Sequence, residues 1–295
     1  MDEQTYRVLL KRGVFVDKAR GGREVPYKIY YPAQHDLKKM PVVLWSHGLG
    51  GSRDGASFIS RFLAARGYTL VHLTHRGTDS SLWEGKGDHP WDIISKTHIS
   101  RAVTLARMKD IPFVLDCLEC WVLDEPEIGQ HMDLKRIGMS GHSFGALTTQ
   151  VMAGMKFPDE RRRLMDLRDS RISCAIAYSP VPISHLSDAP FEDIYGSIAV
   201  PMLHMTGTED YSPLTRTIDY THRLVVRDYA GHPEQYLHVL EGGDHMIYNG
   251  TRGKLARNPA RQAHESLILQ AVFAFWQAYL KNDEQARTWL EQNCS

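Results

Sequence analysis

The sequence has few cysteines and no excess of charge of either sign. Its 295 residues include only four cysteines, Cys117, Cys120, Cys174 and Cys294. These are too few and too unevenly spread for a disulfide framework. Lys plus Arg and Asp plus Glu each total 35, so the formal net charge is zero. A balanced chain has no electrostatic preference for nucleic acid or for an anionic membrane, and we expect neither partner.

Long apolar runs are also missing. The first four residues, MDEQ, are polar and lead straight into a strand-like segment, so no signal-peptide core follows them. No apolar stretch reaches the length of a membrane span. We therefore predict a reduced, cytoplasmic protein without a membrane-spanning segment.

Patterns typical of metal and thiol enzymes are absent or incomplete. Cys117 and Cys120 form a C-x-x-C motif, but it lies inside the helical run 113–123. Redox pairs sit at the start of a helix, and zinc sites need a second pair of ligands. No H-E-x-x-H motif occurs. The sequence predicts no metal and no cofactor.

What the sequence does contain is a regular alternation of strands and helices. Two strands at 7–15 and 25–31 are joined by the turn Gly21-Gly22. The strands that follow are separated by helical segments and lie at 42–46, 69–73, 136–140, 173–178, 200–206 and 235–240. This order predicts a single α/β domain over residues 1–295, with a doubly wound, mostly parallel sheet and an antiparallel N-terminal edge.

Two connections are longer than a crossover between strands needs. Residues 76–100 carry Trp83 and Trp91, and residues 179–199 carry Phe191 and Tyr195. Both follow the carboxyl end of a strand, where open α/β sheets bind ligands. We predict that they form pocket walls or a partial lid. The alternative is that they are surface loops whose aromatic side chains bury themselves locally.

Residues 141–145, GHSFG, match the nucleophile pattern G-x-S-x-G. An apolar strand leads into the motif and a helix leads out, which is the context that the pattern requires. Ser143 must adopt a strained backbone to present its hydroxyl above the sheet, and small residues must flank the turn. The sequence predicts Ser143 as a nucleophile.

A serine nucleophile needs a base, and the base needs an acid that orients it. On this type of fold the order along the chain is Ser, Asp or Glu, then His. The strand 201–206 is followed by Glu209 and Asp210, of which Asp210 has the shorter side chain that such a loop usually supplies. His245 lies in the glycine-rich turn after the last strand. We predict Asp210 as the acid and His245 as the base.

The loop after the strand 42–46 reads SHGLGG over residues 46–51. In the same arrangement, one oxyanion donor comes from the residue after the nucleophile and the other from this loop. That assigns the backbone N–H groups of Phe144 and Leu49. We interpret His47 as a structural residue that holds the loop by hydrogen bonds.

Together these motifs resemble the α/β-hydrolase superfamily. SHGLG, His75-Arg76-Gly77, GHSFGA, the 207–210 segment GTED and the 243–245 segment GDH occur in its order, across roughly residues 25–280. The SHGLG and GHSFG forms are similar to the branch of platelet-activating-factor acetylhydrolase-like and dienelactone-hydrolase-like esterases. This resemblance implies a serine esterase, without metal or cofactor, that acts on a small-molecule carboxylic ester.

The chain departs from both relatives. Dienelactone hydrolases usually carry a cysteine where this chain has Ser143. The lipid acetylhydrolases place their acid after the strand that here ends at Tyr178-Ser179, a position that is not acidic in this chain. This favours Asp210 and weighs against lipid-type specificity. The expected reaction is therefore acyl transfer to Ser143 from short-chain or small aromatic esters.

Two alternatives use the same fold. The triad suits a thioesterase, a peptidase or a C–C bond hydrolase equally well, since the fold does not determine the chemistry. A protein that keeps the fold but only binds a ligand is the second alternative. The complete set of triad and oxyanion residues argues against it.

Overall fold

The computed structural model describes residues 5–33, 39–211, 219–250 and 260–294. Its strands are β1 (Val8–Asp17), β2 (Arg23–Pro32), β3 (Met40–Ser46), β4 (Thr69–Leu73), β5 (Met132–His142), β6 (Phe157–Pro158), β7 (Leu164–Met165), β8 (Ile172–Tyr178), β9 (Met202–Glu209) and β10 (Gln235–Asp244).

Helices follow most of these strands. They are α1 (Ser57–Ala64), α2 (Pro90–Ile94), α3 (Arg101–Met108), α4 (Asp110–Asp124), α5 (Phe144–Met152), α6 (Phe191–Tyr195), α7 (Tyr220–Arg223), α8 (Val225–Asp228), α9 (Arg261–Leu280) and α10 (Glu284–Asn293). Short 3₁₀ turns occupy Lys18–Arg20, Ser80–Leu82, Gly129–His131 and Ile247–Asn249.

Eight of the strands form one sheet in the order β1-β2-β4-β3-β5-β8-β9-β10. β1 pairs antiparallel with β2, and β2 pairs antiparallel with β4, whereas every other neighbouring pair is parallel. β6 and β7 form a separate small hairpin. The predicted α/β fold class, with a mostly parallel sheet and an antiparallel N-terminal edge, is confirmed.

Both faces of the sheet are covered, and successive residues of the central strands alternate between the two cores. In β3, Val42 and Leu44 belong to one apolar cluster, and Val43 and Trp45 belong to the other. Helices α3, α4 and α5 cover the first face, while α1 and α9 cover the second. Burial on both sides explains why β3 consists of an unbroken apolar run.

The 101–123 helical run is divided at Lys109 into α3 and α4, so Pro112 lies in the first turn of a new helix, where it breaks no hydrogen bond. The C-x-x-C pair lies within α4, and burial raises the pKa of the Cys117 thiol to about 11. All four cysteines are free. A thiol with a raised pKa is a poor nucleophile, which agrees with a structural role for this segment.

Candidate active site

Ser143 lies in the turn between β5 and α5, at backbone angles φ 55° and ψ −117°. Its backbone N–H donates to the Tyr178 carbonyl at 2.9 Å, which ties the turn to β8. A positive φ at a serine is strained and persists only where the surrounding structure imposes it. The turn therefore presents the half-buried Ser143 side chain at the carboxyl edge of the sheet.

The two glycines of the turn are required by close backbone contacts. A Cβ added at Gly145 would lie 1.9 Å from the Ser46 carbonyl oxygen. A Cβ at Gly141 would lie 2.3 Å from the Gly145 carbonyl oxygen. Neither contact can be relieved by rotating a side chain, because both partners are backbone atoms. β3, β5 and α5 therefore meet only if these positions lack side chains.

We expect Gly145→Ala to lower the free energy of unfolding by about 3 kcal/mol or more, because the new methyl group would overpack rigid backbone. Urea denaturation would measure the change. Gly87→Ala is the matched control: a Cβ there meets nothing within 4 Å, so we expect a change below about 0.5 kcal/mol. Equal stability of the two variants would contradict this account of the turn.

Asp210 and His245 form a buried pair beyond the ends of β9 and β10. The His245 Nδ1–H donates to Asp210 Oδ1 at 2.6 Å. Because a carboxylate only accepts hydrogen bonds, this contact places the imidazole proton on Nδ1 and leaves Nε2 as a lone-pair base. Glu209, the other carboxylate considered from the sequence, is exposed to solvent.

A hydrogen bond and an ion pair also hold the Asp210 carboxylate. Thr206 Oγ1 donates to Asp210 Oδ2 at 2.8 Å, and Arg223 Nη2 lies 3.0 Å from Asp210 Oδ1. Burial alone would raise the pKa of Asp210, but the His245 hydrogen bond and the Arg223 charge outweigh it and hold the pKa below its ordinary value. The carboxyl group therefore stays ionised. Arg223 lies on α7 with no sequence motif around it, and it was not among the predicted site residues.

The loop after β3 leaves backbone N–H groups available beside Ser143. His47 donates through Nδ1 to the Gly48 carbonyl at 2.6 Å and accepts the His75 N–H at its Nε2 at 3.0 Å. The N–H groups of Leu49 and Phe144 have no acceptor among the residues that the structure describes. Free N–H groups at a turn and at a helix start are suited to bind an oxyanion.

A cavity of about 450 Å³ contains Ser143 and His245 in its wall. Two aromatic side chains of the 76–100 connection, Trp83 and Trp91, also line it. Trp83 is fixed by a hydrogen bond from its Nε1 to the Gly50 carbonyl at 2.7 Å. Across the described parts of the chain, the Ser143 hydroxyl makes no hydrogen bond, so no such contact there holds it away from the cavity.

The structure places the other two predicted pocket residues elsewhere. Tyr195 is fully buried in the core, where its hydroxyl oxygen accepts the Ile183 N–H at 2.9 Å. Phe191 packs edge-on against Tyr229, with 5.1 Å between ring centroids. The 179–199 connection folds onto the α4 and α5 side of the sheet, and none of its residues lines the cavity beside Ser143.

Two other kinds of site are not found within the described ranges. None of the helices there combines the length and apolarity needed to cross a membrane. No group of three or more histidine, cysteine, aspartate or glutamate side chains there is arranged to hold a metal ion.

Comparison with known families gives a match over part of the chain. The family described as platelet-activating factor acetylhydrolase, isoform II, matches residues 8–85. This segment runs from β1 through the SHGLG loop to the 76–100 connection, and lies upstream of Ser143. No curated protein sequence matches the chain. The matched family consists of serine esterases of the α/β-hydrolase type, so the resemblance seen in the motifs is confirmed and the chain is a carboxylic ester hydrolase.

Proposed function

We propose that the chain hydrolyses short-chain or small aromatic carboxylic esters through an acyl-enzyme on Ser143. The observation that carries this proposal is the buried Asp210–His245 hydrogen bond, which leaves His245 Nε2 unprotonated at the cavity that contains Ser143. A serine on a strained turn beside such a base is the arrangement of an activated nucleophile.

The proposed reaction has two half-steps. His245 Nε2 takes the Ser143 proton as Oγ attacks the ester carbonyl, and the same proton then passes to the departing alcohol. Water repeats the sequence on the acyl-enzyme, which releases the acid and restores Ser143. Asp210 holds the His245 tautomer and stabilises the imidazolium that forms in each step.

The N–H groups of Leu49 and Phe144 are proposed to bind the oxyanion of each tetrahedral intermediate. Such donors act in a cavity with little water and cost no reorganisation, so each contributes about 10²- to 10³-fold to kcat in known hydrolases. The start of α5 adds its positive dipole end at the same place.

Cavity size supports small substrates. At about 450 Å³, the space lies toward the lower end of the usual range for ligand pockets, about 300–1,000 Å³. The side chains of Trp83 and Ile94 pack close to Gly50, where an added Cβ would lie 3.2 Å from Trp83 and 2.4 Å from Ile94. These contacts fix the wall next to the proposed oxyanion loop.

Hydrolysis of p-nitrophenyl esters from acetate to long acyl chains would test the proposal. We expect kcat/KM to be highest for short chains because the aromatic wall limits the space for the acyl group. Trp83→Ala should enlarge the cavity and shift the preferred acyl chain toward greater length.

Phe191→Ala is the matched control, since Phe191 packs against Tyr229 away from the cavity. It should leave the ratio of short-chain to long-chain activity unchanged. A wild-type enzyme that prefers long chains would contradict the proposed substrate class. A folded enzyme that cleaves none of the esters would contradict the proposed reaction and favour thioester, peptide or C–C bond substrates.

A further inference from the structure

A second Ser–His–Asp arrangement lies beneath the proposed active site. The Ser46 hydroxyl donates to His75 Nε2 at 3.0 Å, and His75 Nδ1–H donates to Asp110 Oδ2 at 3.0 Å. Its contacts are those of a catalytic triad, yet all three residues are fully buried. No substrate can reach Ser46, so this arrangement is not a second nucleophile.

Arg107, on α3, continues this chain of hydrogen bonds toward the proposed oxyanion loop. Its Nη2 donates to Ser46 Oγ at 2.8 Å and also to the His47 carbonyl. That carbonyl belongs to the peptide directly before the one that carries the Leu49 N–H. One guanidinium nitrogen therefore anchors the backbone that presents the first proposed donor.

The same guanidinium contacts the residue that carries the second donor. It stacks on the Phe144 ring, with 4.7 Å between the guanidinium carbon and the ring centroid. Arg107 Nε donates to Thr148 Oγ1 at 2.7 Å, and the Thr148 hydroxyl donates to the Phe144 carbonyl at 3.0 Å. The first turn of α5 is thus fixed to Arg107 from two directions.

A third segment completes the contacts. Arg107 Nη1 donates to Thr78 Oγ1 at 2.8 Å, and the Thr78 carbonyl accepts the Gly50 N–H at 2.8 Å. Arg107 therefore bonds to the loops after β3 and β4 and to α5. These three segments meet around the two proposed oxyanion donors, the N–H groups of Leu49 and Phe144.

We propose that Arg107 is a positioning residue for the oxyanion hole: it sets the spacing of the Leu49 and Phe144 N–H groups and places a buried positive charge behind them. This inference rests on the proposed function of the site. Arg107 touches no reacting atom, and its effect passes through the His47 carbonyl and the Phe144 ring.

The charge and shape of Arg107 both suit this role. Burial lowers the pKa of Arg107 to about 9, against the opposing effect of the nearby Asp110 carboxylate, so the group is still protonated at neutral pH. Asp110 is itself paired with Arg20 and Arg23. A guanidinium offers five donors in a fixed fork, which a lysine ammonium cannot reproduce. Only arginine can hold all four acceptors and stack on a ring at once.

Steady-state kinetics of the full chain would test the inference, with Arg107→Met and Arg107→Lys as variants. We expect Arg107→Met to lower kcat by about 10²-fold, the effect of losing one oxyanion donor, with KM changed by less than about 3-fold. Arg107→Lys should recover part of kcat because it keeps the charge. Phe144→Leu keeps the N–H donor but removes the stacked ring, and should lower kcat by a smaller factor.

A second measurement distinguishes a role of Arg107 in positioning the oxyanion donors from a role in stabilising the fold alone. Each enzyme is compared on an ester and on the corresponding thionoester, whose developing sulfur anion accepts hydrogen bonds poorly. A well-placed oxyanion hole favours the oxygen ester, so the ester-to-thionoester ratio of kcat/KM should fall in Arg107→Met. Thermal unfolding of each variant shows whether it is folded. If Arg107→Met does not fold, Arg107→Lys and Phe144→Leu provide the same ratio.

The outcomes distinguish this inference from the proposed function. A wild-type enzyme without esterase activity, or a fully active Ser143→Ala variant, would overturn the proposed function. An active wild type and an inactive Ser143→Ala, together with a folded Arg107→Met whose kcat and ester-to-thionoester ratio match wild type, would overturn only the role of Arg107. A fall in kcat with an unchanged ratio would also overturn it.

Discussion

Ser143→Ala should lower kcat for ester hydrolysis by about 10⁵- to 10⁶-fold, because the variant loses the only group proposed to form the acyl-enzyme. The loss should fall on kcat with little change in KM, since the cavity wall is unchanged. Ester assays with chromatography-pure variant protein would measure it. A fluorophosphonate reagent followed by mass spectrometry of peptides would show whether Ser143 is the residue that forms the covalent bond.

Ser46→Ala is an informative control for this labelling. Ser46 has the same His and Asp partners as a catalytic serine but is fully buried. We expect Ser46→Ala to retain stoichiometric labelling at Ser143, although at a lower rate because Arg107 loses an acceptor. Labelling of the Ser143→Ala variant at Ser46, or normal turnover by that variant, would contradict the assignment of the nucleophile.

The fold was predictable because its signals are local and repeated. Apolar runs such as 42–46 alternate with helical segments, and a chain of that kind has few ways to cover both faces of a parallel sheet. The nucleophile turn is also local, since Gly141 and Gly145 stand in sequence next to the serine that they allow to approach β3.

The buried arginines could not be predicted in the same way. Arg107 lies beside Met108 on α3 and three residues after Thr104, and all three are buried. A charged residue on the inner face of an amphipathic helix is a detectable signal, but its four acceptors come from segments far apart in sequence. The partners of such a group become visible only once the strands and loops are assembled.

The aromatic residues of the two long connections show a different limit of prediction from the sequence. Trp83 and Tyr195 both follow the end of a strand, so the sequence predicts both as pocket residues. Trp83 lines the cavity beside Ser143, whereas Tyr195 belongs to the core. An aromatic ring lowers its free energy by burial in either place, so composition alone cannot separate the two.

Asp210→Asn should lower kcat by about 10⁴-fold, as the corresponding change does in other triads. The structure gives a specific reason. Asp210 lies between the His245 imidazole, which donates to its Oδ1, and the Arg223 guanidinium, which forms an ion pair with Oδ1 at 3.0 Å. Without the carboxylate charge, His245 must become an imidazolium next to an uncompensated buried cation. The transition state loses an attraction and gains a repulsion.

The repulsion between Arg223 and the His245 imidazolium predicts a partial rescue. Replacing Arg223 by methionine in the Asp210→Asn background removes the repulsion, and the double variant should be more active than Asp210→Asn alone. In the wild-type background, Arg223→Met removes a donor from Asp210 and should lower kcat. A double-mutant cycle on kcat would therefore show strong coupling between the two positions.

Glu209→Gln is the matched control for charge, because Glu209 is the neighbouring exposed carboxylate. It should change kcat by less than about 3-fold, since an exposed charge is screened by solvent. If Glu209→Gln caused the larger loss, the acid of the triad would be Glu209. If Arg223→Met gave the same factor in both backgrounds, the two residues would act independently, and the buried cation would have no part in the strength of the base. If Arg223→Met lowers kcat in the wild-type background but raises it in the Asp210→Asn background, Arg223 supports catalysis only through the Asp210 carboxylate that it holds in place.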